Sequence, residues 1–235
     1  MSDLQTSAPE VKKPSLFGVL FSPTEQFERI REKPRFGMAL TIVIVLSVII
    51  LSLTGLALAE NPVFLEKAGV EEAGLPPEAF TAFTVGGMII GGLVGIPISL
   101  LLRSLFHWLF MMLFRGEASF KQLFSLNTHV YFLPLLGTLV YMVYLWATGG
   151  GGTDPETIPT SLAAFVPAEG FLKGVLGGIE IFAIWELILI ASGLSIVGRL
   201  SKGKGWTIAL IIFAVALVVT AGFTAMGDMA NSMTP

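Results

Sequence analysis

Residues 36–58 read FGMALTIVIVLSVIILSLTGLAL, an unbroken apolar run with no charged residue and no proline. A helix needs about 20 predominantly apolar residues to cross roughly 30 Å of hydrocarbon. A run this long exceeds any strand of a soluble core, so it predicts a transmembrane helix. Four further stretches read the same way: 83–113, 123–147, 171–197 and 206–226. The second is the longest and is expected to leave the membrane as a helix, with Arg103, His107 and Trp108 near the cytoplasmic interface. The expected fold class is all-α, a polytopic membrane bundle of five transmembrane helices.

Composition points the same way. Hydrophobic residues make up 54% of the chain and charged residues 13%, against about 25% charged in soluble domains. Mean hydropathy is +0.80. So few charges cannot cover a water-facing surface, so most of the exterior is expected to face the lipid bilayer. A net charge of −3 argues against nucleic acid as a partner. The chain has no cysteine, which excludes disulfides, thiolate metal sites, thiol nucleophiles and lipidation on Cys. No cleavable signal sequence is expected, because the first apolar run follows a charged polar stretch.

Basic residues set the expected orientation. Lys12, Lys13, Arg29, Arg31, Lys33 and Arg35 precede the first span. Arg103, Arg115 and Lys121 gather around the second-to-third connection, and Arg199, Lys202 and Lys204 fill the fourth-to-fifth turn. That puts twelve of the fourteen Lys and Arg on one side and leaves only Lys67 and Lys173 on the other. The opposite loops carry Glu60, Glu66, Glu71, Glu72, Glu78, Asp154, Glu156 and Glu169. The expected arrangement is N-in/C-out across a cell membrane, with Asp228 outside.

Residues 1–14 read as a disordered tail and 15–35 as a cytoplasmic interfacial amphipathic segment. The five-helix domain occupies 36–226, and 227–235 form a short extracytoplasmic tail. In the segment before the first span, Ser22-Pro23-Thr24-Glu25 fits a capping box with proline at the first helical position. A helix is expected from Pro23 to about Lys33, with Pro34 ending it. Phe27 and Ile30 share one face, which suits either the membrane surface or the cytoplasmic ends of the bundle. Ser119 and Gln122 form a second capping box. The loop 61–77 has room for a short amphipathic helix between prolines, and 148–170 opens on the flexible run Gly149-Gly150-Gly151-Gly152.

Gly87, Gly91 and Gly95 recur every fourth residue on the second span, and Gly174 and Gly178 repeat the spacing on the fourth. Such stripes let helix backbones approach closely in lipid, and the first reading is packing inside the bundle, with self-association or partner docking the other. Pro97 and Pro134 are able to kink their helices. The intramembrane polar candidates are Glu186, Glu180, His129 and Asn127. A carboxylate at mid-membrane costs on the order of 3 kcal/mol, so Glu186 needs partners, and Asn127 and His129 are its expected ones. Glu180 lies about 120° from Glu186 around the helix axis, so the two glutamates make no acid/base pair. The expected role of Glu186 is a protonated structural pin or a contact to a partner helix, the alternative a proton or cation site with His129 or Asn127.

No enzyme signature is complete. Neither histidine lies in HExxH, and no Walker or dinucleotide motif is present. Gly193 to Gly198 reads GxSxxG rather than the GxSxG of a serine elbow, so Ser195 is expected to be a helix-end hydroxyl. Glu71-Glu72 lies in an outer loop without histidines. No catalytic residue, metal site or cofactor is expected.

Three ordered segments, FSPTEQFERIREKP, GEASFKQLFSLNTHVYFLP and IWELILIASGLSIVGRLSKGKGWTIALIIFAV, resemble a bacterial member of the Yip-domain family of Ypt/Rab-GTPase-interacting membrane proteins. The resemblance covers about 15–221. It implies a five-span bundle with a cytoplasmic N-terminus and a non-enzymatic scaffold or assembly factor. Eukaryotic members bind small GTPases and other Yip proteins through a long N-terminal region with acidic and aromatic motifs, which the short segment here lacks. Bacterial members are thought to accompany membrane transport machinery. The positions matching the family pattern are Ser22, Pro23, Phe27, Gly116, Phe120, Lys121, Pro134, Gly193 and Ser195. The expected function is therefore an adaptor for other integral membrane proteins, such as an ABC-type export complex, with homo-oligomers through the Gly87-Gly91-Gly95 face. The alternative is a small transporter or channel using Glu186, His129 and Asn127.

Overall fold

A computed structural model describes residues 12–149 and 157–233. The first long helix, to be called α3, runs Gly37–Ala59 and is preceded by two short ones, α1 (Leu16–Phe21) and α2 (Pro23–Glu32). At 1.5 Å per residue α3 is about 35 Å long, enough to cross the hydrocarbon. Ala39, Val43, Ser47, Ile50, Thr54 and Leu58 form its buried stripe, while Ile42, Val45, Ile49, Leu53 and Leu56 lie on the outside. A helix that is apolar on its outward face too belongs in lipid. Three of its hydroxyls are satisfied within the helix, Thr41 to Gly37, Ser52 to Val48 and Thr54 to the Ile50 carbonyl at 2.9 Å, while the buried Ser47 hydroxyl finds no partner.

After the short helix α4 (Pro62–Lys67), capped by the Asn61 side chain, comes α5 (Pro77–Ile90). It passes through a single π-turn, Gly91–Gly95, into α6 (Ile96–Leu113). Pro97 follows directly and has no N–H to donate, so the hydrogen-bond ladder is already broken there and a wider turn absorbs the gap. Where α3 meets this span, a Cβ on Gly92 would lie 2.8 Å from the Val48 side chain, and one on Gly55 3.3 Å from the Val85 backbone. Gly87, Gly91 and Gly95 face away: nothing lies within 4 Å of a Cβ on any of them. The expectation that this stripe packs inside the bundle is corrected. Gly92 and Gly55, outside the GxxxGxxxG register, make the close approach.

The third span is α7 (Phe120–Val130) followed by α8 (Phe132–Ala147), joined at Tyr131. Pro134 explains the joint, since its missing N–H leaves the Val130 carbonyl without an intrahelical donor. The expected Ser119–Gln122 capping box is formed, each residue's side chain bonding the other's backbone.

The fourth stretch is not one helix. It divides into α9 (Gly170–Gly178) and α10 (Ile181–Val197), with Glu180 in extended conformation between them. Leu162 donates to the Ile179 carbonyl at 3.0 Å, pinning the preceding loop across the break. The last helix, α11 (Lys202–Met233), runs past the expected end at 226, so most of the proposed tail 227–235 is helical. A Cβ on Gly174 would sit 2.5 Å from the Ala221 Cα, and one on Gly178 would overlap Leu217, so this stripe is packed inside the bundle as expected. Gly37–Ala59, Pro77–Leu113, Phe120–Ala147 and Lys202–Ala230 are each long and apolar enough to cross a membrane; α10, at 17 residues, is shorter.

The N-terminal pair folds back onto the bundle. Ser22 ends α1 and begins α2, but its side chain makes no cap, and Glu25 instead pairs with Arg29 at 2.5 Å. The expected capping box is therefore absent; one turn along the helix, an opposite charge wins the carboxylate. Phe27 and Ile30 are fully buried among Leu123, Leu126, Leu194 and Ile208. The Gln122 side chain donates to the Arg31 carbonyl at 2.6 Å and Ser125 to the Arg35 carbonyl at 3.0 Å. Docking against the bundle is thus the arrangement of α2, while Phe17 and Phe21 of α1 remain exposed. Of the expected disordered tail 1–14, residues 1–11 lie outside the described residues, as do Gly150–Gly152 of the glycine run.

The turns at the basic ends of the helices join as well. Glu117 N–H donates to the Gly198 carbonyl at 3.0 Å, Arg199 pairs with Glu117 at 3.1 Å, and Lys204 donates to the Phe114 carbonyl at 3.0 Å. Arg115 and Arg199 take the left-handed conformation, φ 59° and 51°, that closes α6 and α10. Each is followed by a return bond, Gly116 N–H to Met111 and Leu200 N–H to Ser195.

Candidate functional site

Glu186 lies on α10, buried, and its partner is Arg103 of α6, through both terminal guanidinium nitrogens. The second contact, Nη2 to Oε2, is 3.5 Å. Two charges that would each be expensive in hydrocarbon become one neutral, hydrogen-bonded unit. Tyr131, at the joint between α7 and α8, lies within electrostatic reach of both. This corrects one expectation: Glu186 takes Arg103, and neither Asn127 nor His129, as its partner. The pairing follows from helix geometry, because α6 and α10 each bring one charged side chain to the same depth.

Next to Arg103, the Asn127 amide donates to the Ser104 hydroxyl and to the Leu123 carbonyl, both at 2.9 Å. Ser104 in turn donates to Leu100 at 2.6 Å. His107 lies one helical turn beyond Arg103, fully enclosed and near Asn127, yet its Nδ1 and the Asn127 Oδ1 complete no hydrogen bond. Nothing in the sequence singled out Ser104 or His107 as members of this group. The signal was their spacing with Arg103 on one helix.

His129 belongs elsewhere. Its Nδ1 bonds the Ser125 carbonyl at 2.7 Å, and the ring also reaches the Pro14 carbonyl under α1. Glu180 is separate again: its carboxylate accepts from Phe182 N–H at 3.2 Å and Ala183 N–H at 2.8 Å, capping α10, and from Thr160 at 3.0 Å. Its expected place on a continuous helix face is corrected, because the helix begins after it. The four polar candidates thus fall into three environments: an ion-paired clamp with Asn127 beside it, a histidine under the N-terminal segment, and a helix cap. Glu186, His129 and Asn127 do not converge on one site. Among the described residues no group of three or more His, Asp or Glu is placed to hold a metal ion.

Most of the residues expected to carry the family pattern lie at the basic end, Pro134 in α8 being apart from it. Pro23 starts α2 and Phe27 is buried in the core. A Cβ on Gly116 would overlap Met111, and one on Gly193 would lie 2.5 Å from Leu126. The ring of Phe120 sits between Trp108 and Phe124, which continues to Phe36. Ser195 donates to the Ala191 carbonyl at 2.8 Å, the helix-end hydroxyl anticipated, and packs where Gly205 leaves room. Lys121 is exposed. The Yip1 domain matches residues 17–223. The chain belongs to the Yip1-domain family. Membrane protein YknW of Bacillus subtilis is 32% identical over 231 residues, covering 97% of this chain and 96% of that protein. No solved structure matches. This Yip1-domain chain is a multi-pass membrane protein of the bacterial type, in which Phe27, Gly116, Phe120, Gly193 and Ser195 pack helices and turns together.

Proposed function

We propose that this Yip1-domain protein is a non-enzymatic adaptor that binds other integral membrane proteins, an ABC-type export complex being the partner class, and that it also self-associates. The observation that carries this reading is the uncovered stripe of Gly87, Gly91 and Gly95, flanked by outward Phe83, Ile90 and Val94. Small residues on an outward helix face permit a second helix to approach closely. The internal neutralisation of Glu186 by Arg103 supports a packing role over a conducting one. The polypeptide crosses the membrane five times, α10 making the fourth crossing, with its N-terminus in the cytoplasm and its C-terminus outside. The alternation of basic and acidic connections supports that orientation.

The test is photo-crosslinking in the native membrane from Phe83, Ile90 and Val94, followed by identification of the crosslinked chains. Integral membrane proteins recovered from these positions, and lost with Gly91→Leu, are the expected result. Crosslinks only to lipid would overturn the reading. Because the chain has no cysteine, single cysteines report topology directly: positions 121 and 204 should label only from inside, 67 and 173 only from outside.

A further inference from the structure

A cavity of about 420 Å³ opens between the N-terminal segment and the start of α3. Its cationic members are Lys13 and Arg35, its apolar members Phe17, Met38 and Ile42, and its wall on α7 is His129. Both cations are exposed, and neither side chain makes a hydrogen bond or ion pair among the described residues. Phe17 and Met38 are 64% and 81% exposed, Met38 on the outward side of α3. Lys12, Arg31 and Lys33 stand nearby in sequence and raise the positive potential of this end.

We infer that this cavity binds an anionic glycerophospholipid from the adjoining leaflet. The volume falls within the range of small-molecule sites, about 300–1,000 Å³. Its two cations, unpaired among the described residues, match a phosphodiester, and the apolar side chains beside them offer an acyl chain a surface continuous with the lipid-facing side of α3. A soluble anion would have no use for that surface, and a zwitterionic lipid would set its own ammonium against Lys13 and Arg35. Basic side chains near a membrane attract anionic headgroups in just this position. The floor of the cavity is fixed, since the Ser125–Arg35 bond and the Phe17–Phe132 ring contact at 5.2 Å hold both walls to the third span. The inference rests on membrane residence, not on the adaptor role.

Native mass spectrometry of the delipidated full-length protein, titrated with phosphatidylglycerol and with phosphatidylethanolamine of the same chains, tests it. The wild type should retain one phosphatidylglycerol in preference to phosphatidylethanolamine. Lys13→Gln combined with Arg35→Gln should reduce that preference about tenfold. The control pair Lys12→Gln and Lys33→Gln, with the same charge change outside the cavity, should keep it. A photoactivatable phosphatidylglycerol should mark peptides containing 13–17 and 35–42. Equal loss in both double variants, or an unchanged preference in the first, would overturn the site. If removing residues 2–11 is needed before any lipid binds, the chain's own N-terminal segment is the occupant and the lipid assignment falls.

Discussion

Two glycine stripes with the same four-residue spacing meet opposite fates in this molecule. On α9, Gly174 and Gly178 are pressed against Ala221 and Leu217 of α11; on the second span, Gly87, Gly91 and Gly95 face open space. Spacing grants a helix the ability to be approached, but it does not say from which side its neighbour comes. The second span is claimed on its other faces, by α3 at Gly92 and Gly55 and by α10 through Arg103 and Glu186. Once those contacts are made, the stripe points outward.

The comparison is broken most severely at the charge pair that fixes the second span. Glu186→Ala leaves the half-buried Arg103 without its partner and should cost about 1–3 kcal/mol, read as loss of the monodisperse species in detergent and a lower Tm. Exchanging the two charges, Arg103→Glu with Glu186→Arg, should recover much of that loss, whereas a proton-transfer role would gain nothing from the exchange. Of the same order is Gly174→Leu, which forces side-chain atoms into the α11 backbone and should cost about 1–3 kcal/mol. Gly91→Leu has room for its side chain and should change the stability of the isolated chain by less than about 0.5 kcal/mol, while abolishing whatever complex uses that face. Equal damage from the two glycine replacements would show that the stripes are not different after all. The smallest effect is expected at Arg115→Gly, where relief of a left-handed residue, about 1 kcal/mol, is offset in part by the added freedom of the unfolded chain.

Much of the architecture was readable from sequence because its causes are local. Continuous apolar runs mark the long helices, Pro23 and Pro34 bracket α2, and Ser119 with Gln122 caps α7. Other features depend on what arrives from a distance. Hydropathy runs smoothly through Gly177-Gly178-Ile179-Glu180, and only the loop that bridges to Glu180 shows that the helix stops there. Charge counting placed Arg103 with the interfacial basic residues, so its bond to Glu186, 83 positions away, was hidden. Glu25 satisfied a capping pattern equally well as a partner for Arg29, and the ion pair prevailed. Of the candidate site, the residue types were visible and their grouping was not, since grouping depends on how the helices rotate against one another.

The joined turns at the basic end carry a mechanical consequence. With Glu117 bonded to Gly198 and Arg199, and Lys204 to Phe114, the α6–α7 hairpin and the α10–α11 hairpin share one hinge-free knuckle. The turns of four helices are therefore tied to one another, so that neither corner moves independently of the other.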